Sequence, residues 1–367
     1  MNRTDPLLLV IWFVIAFLVA CIFFSEIAGA FPDSSRLGYQ SCVSCHVSPS
    51  GGGILRSYGR SAGEEFATWA PEGSGRLLGI VPDQDRVLVA GVARYATVSR
   101  AEDYNAKSVS DDLKANKKSF PMQVEGEVTV QPVDHLWVVG SLGHYGPDLE
   151  RQLRRSYAML EADAKVAQVY GRAGRFTPSF GLHLADHTAA TRQGLGLGEG
   201  SEKIAAEATV ITSFGELTLG ENFDGEAEGY LDEDHGYTLY GGTAEWSTRL
   251  AVTKIKGATF GGSAWRRSKT NLAGLFASVS VGRDLYLLAE GDRSVVRSTG
   301  VHSDTFYAET GFSLIDGLQV IGTAEFEITP RYGGGLRWIP VPHLELFARA
   351  KKQDGLWSVL AMSHVWL

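Results

Sequence analysis

From residue 86 to the C-terminus, polar and apolar positions alternate with period two, the signature of strands whose two faces meet different surroundings. Gln123, Glu125, Glu127, Thr129 and Gln131 alternate with Val124, Gly126, Val128 and Val130. Gln319, Ile321, Thr323, Glu325 and Glu327 alternate with Val320, Gly322, Ala324, Phe326 and Ile328. Sixteen such segments are counted, over 86–98, 121–131, 134–145, 154–164, 167–176, 203–213, 215–223, 237–247, 249–257, 271–281, 284–295, 303–314, 317–328, 331–339, 342–351 and 355–366. Most have the length that a tilted membrane strand needs, and the number is even. Links such as Pro132-Val133, Lys165-Val166 and Pro340-Val341 are short, whereas those over 99–120 and 177–202 are long. Short turns at one end and longer loops at the other is the pattern of an outer-membrane barrel. No blade-length repeat supports a propeller. The expected fold is therefore all-β: a transmembrane antiparallel β-barrel of about sixteen strands, within a range of about 14–18, over 86–367.

The N-terminus has a different pattern. Residues 7–24 are apolar throughout and end at Ser25-Glu26-Ile27-Ala28-Gly29-Ala30, with small residues at the two positions a signal peptidase reads. Residues 1–30 are expected to be an export signal cut after Ala30; an uncleaved anchor, or lipidation at Cys21, is the other reading. Net charge is −8, which disfavours a nucleic-acid partner.

Past the signal only Cys42 and Cys45 remain of three cysteines, and both fall in Cys42-Val43-Ser44-Cys45-His46. C-x-x-C-H is the attachment signature of c-type haem: two thiols form thioethers with the vinyl groups, and the adjacent His reaches the iron. A zinc site wants further ligands, and a redox dithiol wants a βαβ setting; the sequence provides neither. One covalent haem c is expected, on a cytochrome segment over 31–80 with a helix over 58–70. So small a segment buries a haem poorly alone, so another part of the chain should shield it. The distal iron ligand is not legible from spacing; Met362, His364, His343 and His135 are candidates, beside an open position or a ligand within 31–80.

If the apolar faces meet lipid, Glu125, Glu127, Glu161, Asp163, Glu207, Glu290, Asp292, Glu309, Glu325, Glu327 and Glu345 face inward, opposed by Arg94, Arg172, Arg349 and Lys351. That set predicts a net-negative lumen that favours cations such as Fe(II). The third long loop carries His183, Asp186, His187 and Arg192. It corresponds by position to the porin loop that folds inward to narrow the pore.

A single haem motif just after a signal, followed by this barrel pattern, resembles the fused monohaem cytochrome–porins of bacterial outer membranes, the iron-oxidiser type. The resemblance rests on Cys42, Cys45 and His46 and, over 86–367, on architecture. It implies a cytochrome plug held in or at the barrel, passing electrons between an extracellular metal ion or mineral and periplasmic c-type cytochromes or other carriers, with Fe(II) oxidation in some members. A porin or diffusion channel whose haem segment docks a periplasmic cytochrome is the alternative.

Overall fold

The computed structural model describes residues 42–72, 74, 86–101, 116–145, 150–182, 184, 189–197, 201–223, 245–252 and 257–366. The expected export signal, with Ala30 and Cys21, lies outside them, as do His183, Asp186 and His187.

The strands are β1 (Val87–Arg100), β2 (Lys117–Val133), β3 (Leu136–Tyr145), β4 (Glu150–Gln152), β5 (Ser156–Ala164), β6 (Ala167–Phe176), β7 (Lys203–Thr212), β8 (Gly215–Asn222) and β9 (Glu245–Val252), then β10 (Ala258–Arg266), β11 (Thr270–Val281), β12 (Leu285–Val296), β13 (His302–Ile315), β14 (Leu318–Phe326), β15 (Pro330–Val341), β16 (Leu344–Gln353) and β17 (Leu356–Trp366). Each pairs antiparallel with its neighbour, and β1 pairs with β17, from Val92↔Trp366 to Arg100↔Ser358, which closes the sheet. β4 and β5 both pair with β3 and make one interrupted stave. The result is a closed sixteen-stave antiparallel barrel.

Alternation sorts the side chains. Val124, Val128, Val138, Leu142, Leu160, Leu219, Leu275 and Val320 are exposed on the outer face. Glu125, Glu127, Glu207, Glu290, Thr305 and Tyr307 are buried on the inner face. An apolar girdle around a polar interior is the arrangement hydrocarbon surroundings require, and closure leaves no unpaired strand edge.

The expected strand positions hold except at the eighth and ninth segments. The structure places β9 at Glu245–Val252 and β10 at Ala258–Arg266, about one strand later than 237–247 and 249–257. Two effects misled the pattern. Val252, Lys254, Ile255 and Lys256 carry apparent alternation through the link, and β10 hides its own period behind Gly261-Gly262-Ser263.

At the short-turn end, His135 and His343 occupy tight turns with φ of 69° and 71°. Non-glycine residues rarely adopt this left-handed conformation, and His is among the types enriched there.

Candidate functional site in the lumen

The first described segment enters the barrel. Cys42–Ser44 forms a 3₁₀ turn, and the amide of His46 donates to the Cys42 carbonyl at 2.8 Å. The chain then doubles back. His46 bridges Leu55, Val47 N donates to Ile54 O at 3.1 Å, and Arg56 N donates to Cys45 O at 2.8 Å. Gly51, Gly52 and Gly53 make the reversal at φ of 75°, 69° and 65°, a run of left-handed residues open to glycine at little cost. Helix α1 (Ser57–Ala62) follows, then a 3₁₀ turn over Gly63–Phe66, so the helix expected over 58–70 is shorter. α1 packs directly on the motif: a Cβ at Gly59 would lie 2.4 Å from the Cys45 carbonyl.

Wall residues hold this segment. Val43, Val47 and Ile54 pack with Leu88, Trp137, Val139, Tyr157, Met159, Tyr170 and Phe176 of β1, β3, β5 and β6. Each such buried aliphatic side chain contributes about 1.5–3 kcal/mol. Glu127 of β2 accepts the Ile54 amide at 2.7 Å. Arg56 donates to Glu161 at 2.7 Å and lies over Trp137. Arg172 of β6 donates to Ser48 and Ser50 at 3.0 and 2.9 Å. At the short-turn end, Thr68 and Trp69 amides donate to the Ile339 and Pro340 carbonyls at 2.8 and 3.0 Å.

Cys42 and Cys45 are free thiols. Burial pushes Cys42 up to about 12, with Glu216 adding and Arg249 opposing, and burial also raises Cys45. Burial brings His46 down to about 4, so its imidazole is neutral near pH 7. Its Nδ1 is buried with no hydrogen-bond partner, although the backbone of Gly53 and Gly52 acts on the ring.

The loop between β6 and β7 enters the lumen as well, as its position in the sequence predicts. Phe180, Leu195 and Leu197 pack on Trp265 and Leu272, and Leu182 joins Phe276, Tyr286 and Leu288. The Gly181 amide donates to Ser263, Leu182 N to Glu290, and Arg249 to the Gly181 carbonyl. Helix α2 (Ala190–Gln193) presents Arg192, which pairs with Glu290 at 3.2 Å.

The two segments meet at one ion pair. Arg172, which holds Ser48 and Ser50, donates to Glu207 at 2.6 and 3.0 Å. Glu207 accepts in turn from the Ser179 amide and hydroxyl at 3.1 and 3.0 Å. Both charged side chains are 2% exposed.

Many of the inward carboxylates expected to make the lumen net-negative have basic partners. Glu125 and Glu127 meet Arg155, Glu161 meets Arg56, Glu325 meets Arg331 and Lys351, Glu327 meets Arg331, and Glu345 meets Arg337. Arg154 pairs with Glu202, and Arg249 with Glu216.

Chains of known structure share this architecture. OmpT of Vibrio cholerae, in its trimer form, superposes with a TM-score of 0.56 at 8% identity, over 77% of this chain and 99% of that one. Its loop L8 deletion mutant gives 0.55 at 8% identity, over 77% and 99%. An engineered Rh. blastica porin gives 0.52 at 8% identity, over 77% and 100%. The barrel has the porin fold. No protein-family model and no curated protein matches the sequence.

Among the four candidate distal ligands, His135 and His343 are the turn residues described above, and His343 packs on Trp366. His364 meets Glu345 at 3.0 Å, and Met362 is half-buried on the same strand. That strand, β17, is seven and eight staves from the β8 and β9 residues whose charges act on Cys42. Met159, which the sequence reading did not single out, packs in the same cluster as Val43 and Val47. Among the described residues no three His, Cys, Asp or Glu side chains cluster as a metal set.

Proposed function

We propose that this chain is an outer-membrane electron conduit, carrying one haem c on Cys42 and Cys45 with His46 as the proximal iron ligand. The observation that carries the reading is the seating of the C-x-x-C-H turn inside the barrel, tied to β2, β5 and β6. The residues fit the group: two free thiols one turn apart, and a neutral, buried imidazole with an orphaned Nδ1. When bound, haem supplies a one-electron centre. The chain's own residues do the rest. Cys42 and Cys45 fix position, His46 sets the proximal face, and the apolar cluster around Val43 and Val47 excludes water.

A bilayer core of ~30 Å insulates electrons, and a redox centre held in a closed barrel shortens the gap. Electrons would pass between an extracellular metal ion or mineral, Fe(II) being one candidate, and periplasmic carriers. The N-terminal segment takes up lumen space in addition to an inward loop of the kind porins carry. The alternative, a porin with a docking haem segment, draws on the likeness to porin structures.

A haem-stained gel of isolated outer membranes, with and without boiling, tests both. Haem peroxidase signal is expected on a band that shifts on heating and is lost in the C42A/C45A variant. A heat-shifting band without haem, with solute flux through the purified protein, overturns the conduit in favour of the porin.

A further inference from the structure

On the opposite wall one carboxylate stands apart. Asp292 of β12 is 5% exposed, and both its oxygens are buried without a hydrogen-bond partner. Its neighbours are identifiable from every side. Glu290 lies two residues earlier on the same inward face, committed to Arg192 and the Leu182 amide. Thr305 is its direct cross-strand partner on β13, where facing Cβ atoms stand about 4.5–5.5 Å apart. On β11 its partner is Gly274, and the carboxylate lies over that bare backbone: a Cβ there would fall 1.7 Å from Oδ1. α2, carrying Thr191, packs over β12 and β13. Thr305 Oγ1 and Thr191 Oγ1 are also buried without partners.

An unpaired buried carboxylate is costly unless a cation or a proton neutralises it. Arg192 pairs with Glu290, so Asp292 is left to be neutralised by a cation or by a proton. Four unsatisfied oxygens, two from a carboxylate and two from hydroxyls, are hard donors of the kind that suit Ca²⁺, Mg²⁺ or Mn²⁺. We infer that Asp292, with Thr305 and Thr191, forms a seat for one hard divalent cation under the inward loop. The ion joins the loop helix to the wall, beside the Glu290–Arg192 pair. This inference does not depend on the haem.

Full-length protein in detergent, stripped with EDTA, is dialysed against Mn²⁺, and free Mn²⁺ is read by electron paramagnetic resonance. One Mn²⁺ per chain is expected, displaced by Ca²⁺, with affinity of about 10⁻⁴–10⁻³ M. Asp292→Asn should weaken binding at least about tenfold, and Thr305→Val by a smaller factor. Glu345→Gln, on the far strands, should leave it unchanged. If Asp292→Asn yields no heat-shifting barrel, Thr305→Val and Thr191→Val carry the test. Equal binding by the wild-type chain and these variants, or loss of binding in Glu345→Gln as well, overturns the seat. So does absence of binding up to about 10 mM, which would leave Asp292 as a neutral acid.

Discussion

Two stretches of chain enter the same lumen, the N-terminal segment over 42–72 and the loop over 177–202, and the wall holds them by the same device. In each, an inward carboxylate accepts a backbone amide: Glu127 from Ile54, Glu290 from Leu182, Glu207 from Ser179. In each, an arginine lies over an aromatic ring, Arg172 over Phe176 and Arg249 over Phe276. The difference is in tethering. The loop is held by strands at both ends, so releasing it frees only a closed loop. The N-terminal segment runs on toward β1, and within residues 42–72 it is seated by the side-chain and backbone contacts described above. The wall meets the two with apolar packing of similar extent: Val43, Val47 and Ile54 enter one cluster, and Phe180, Leu182, Leu195 and Leu197 enter two others.

The largest effect should come where the two regions meet. Arg172→Met leaves Glu207 buried with its charge uncompensated and removes both serine contacts; about 3–5 kcal/mol is expected. Hydrogen exchange should speed up in residues 46–56 and 179–197 together. Exchange confined to one segment would show that the pair does not couple them. Next in size, Glu290→Ala strands Arg192 and should cost about 2–4 kcal/mol. It should loosen the loop alone, read as cleavage by added protease within 177–202. Glu127→Gln should cost about 1–3 kcal/mol, because Arg155 keeps Glu125. Its signature is faster exchange at Ile54 with loop amides unchanged. Smallest is Arg293→Ala at the exposed Arg293–Asp304 pair, 50% and 45% exposed, where thermal melting should show no resolvable change.

Much of the barrel was legible from residue order because lipid and lumen impose opposite demands on alternate positions. Where that contrast weakens, so does the reading. β10 places Gly261 and Gly262 at the centre of its strand, and the link before it imitates alternation, so two strands were set too early. Cys42, Cys45 and His46 were legible because their spacing encodes chemistry by itself. Their seat was not, since Glu127 and Arg172 are more than 70 residues away in sequence and only closure of the barrel brings them there. The two turn histidines looked like ligands to a reading by residue type. Their backbone conformation gives them another reason to be present.

The interruption between β4 and β5 has one more consequence. β3 pairs with β4 at Gly143↔Gln152 and with β5 at Gly140↔Ser156, so two residues of β3 face three of its partner. That single additional residue works as a shim. It lets Arg154 and Arg155, adjacent in the chain, both reach inward, to Glu202 and to Glu125 and Glu127. A regular strand would send one of the two guanidinium groups outward into hydrocarbon. Deleting one residue here would tidy the hydrogen-bond ladder and yet harm the protein: the irregular stave is how this wall doubles its positive charge at one level of the lumen.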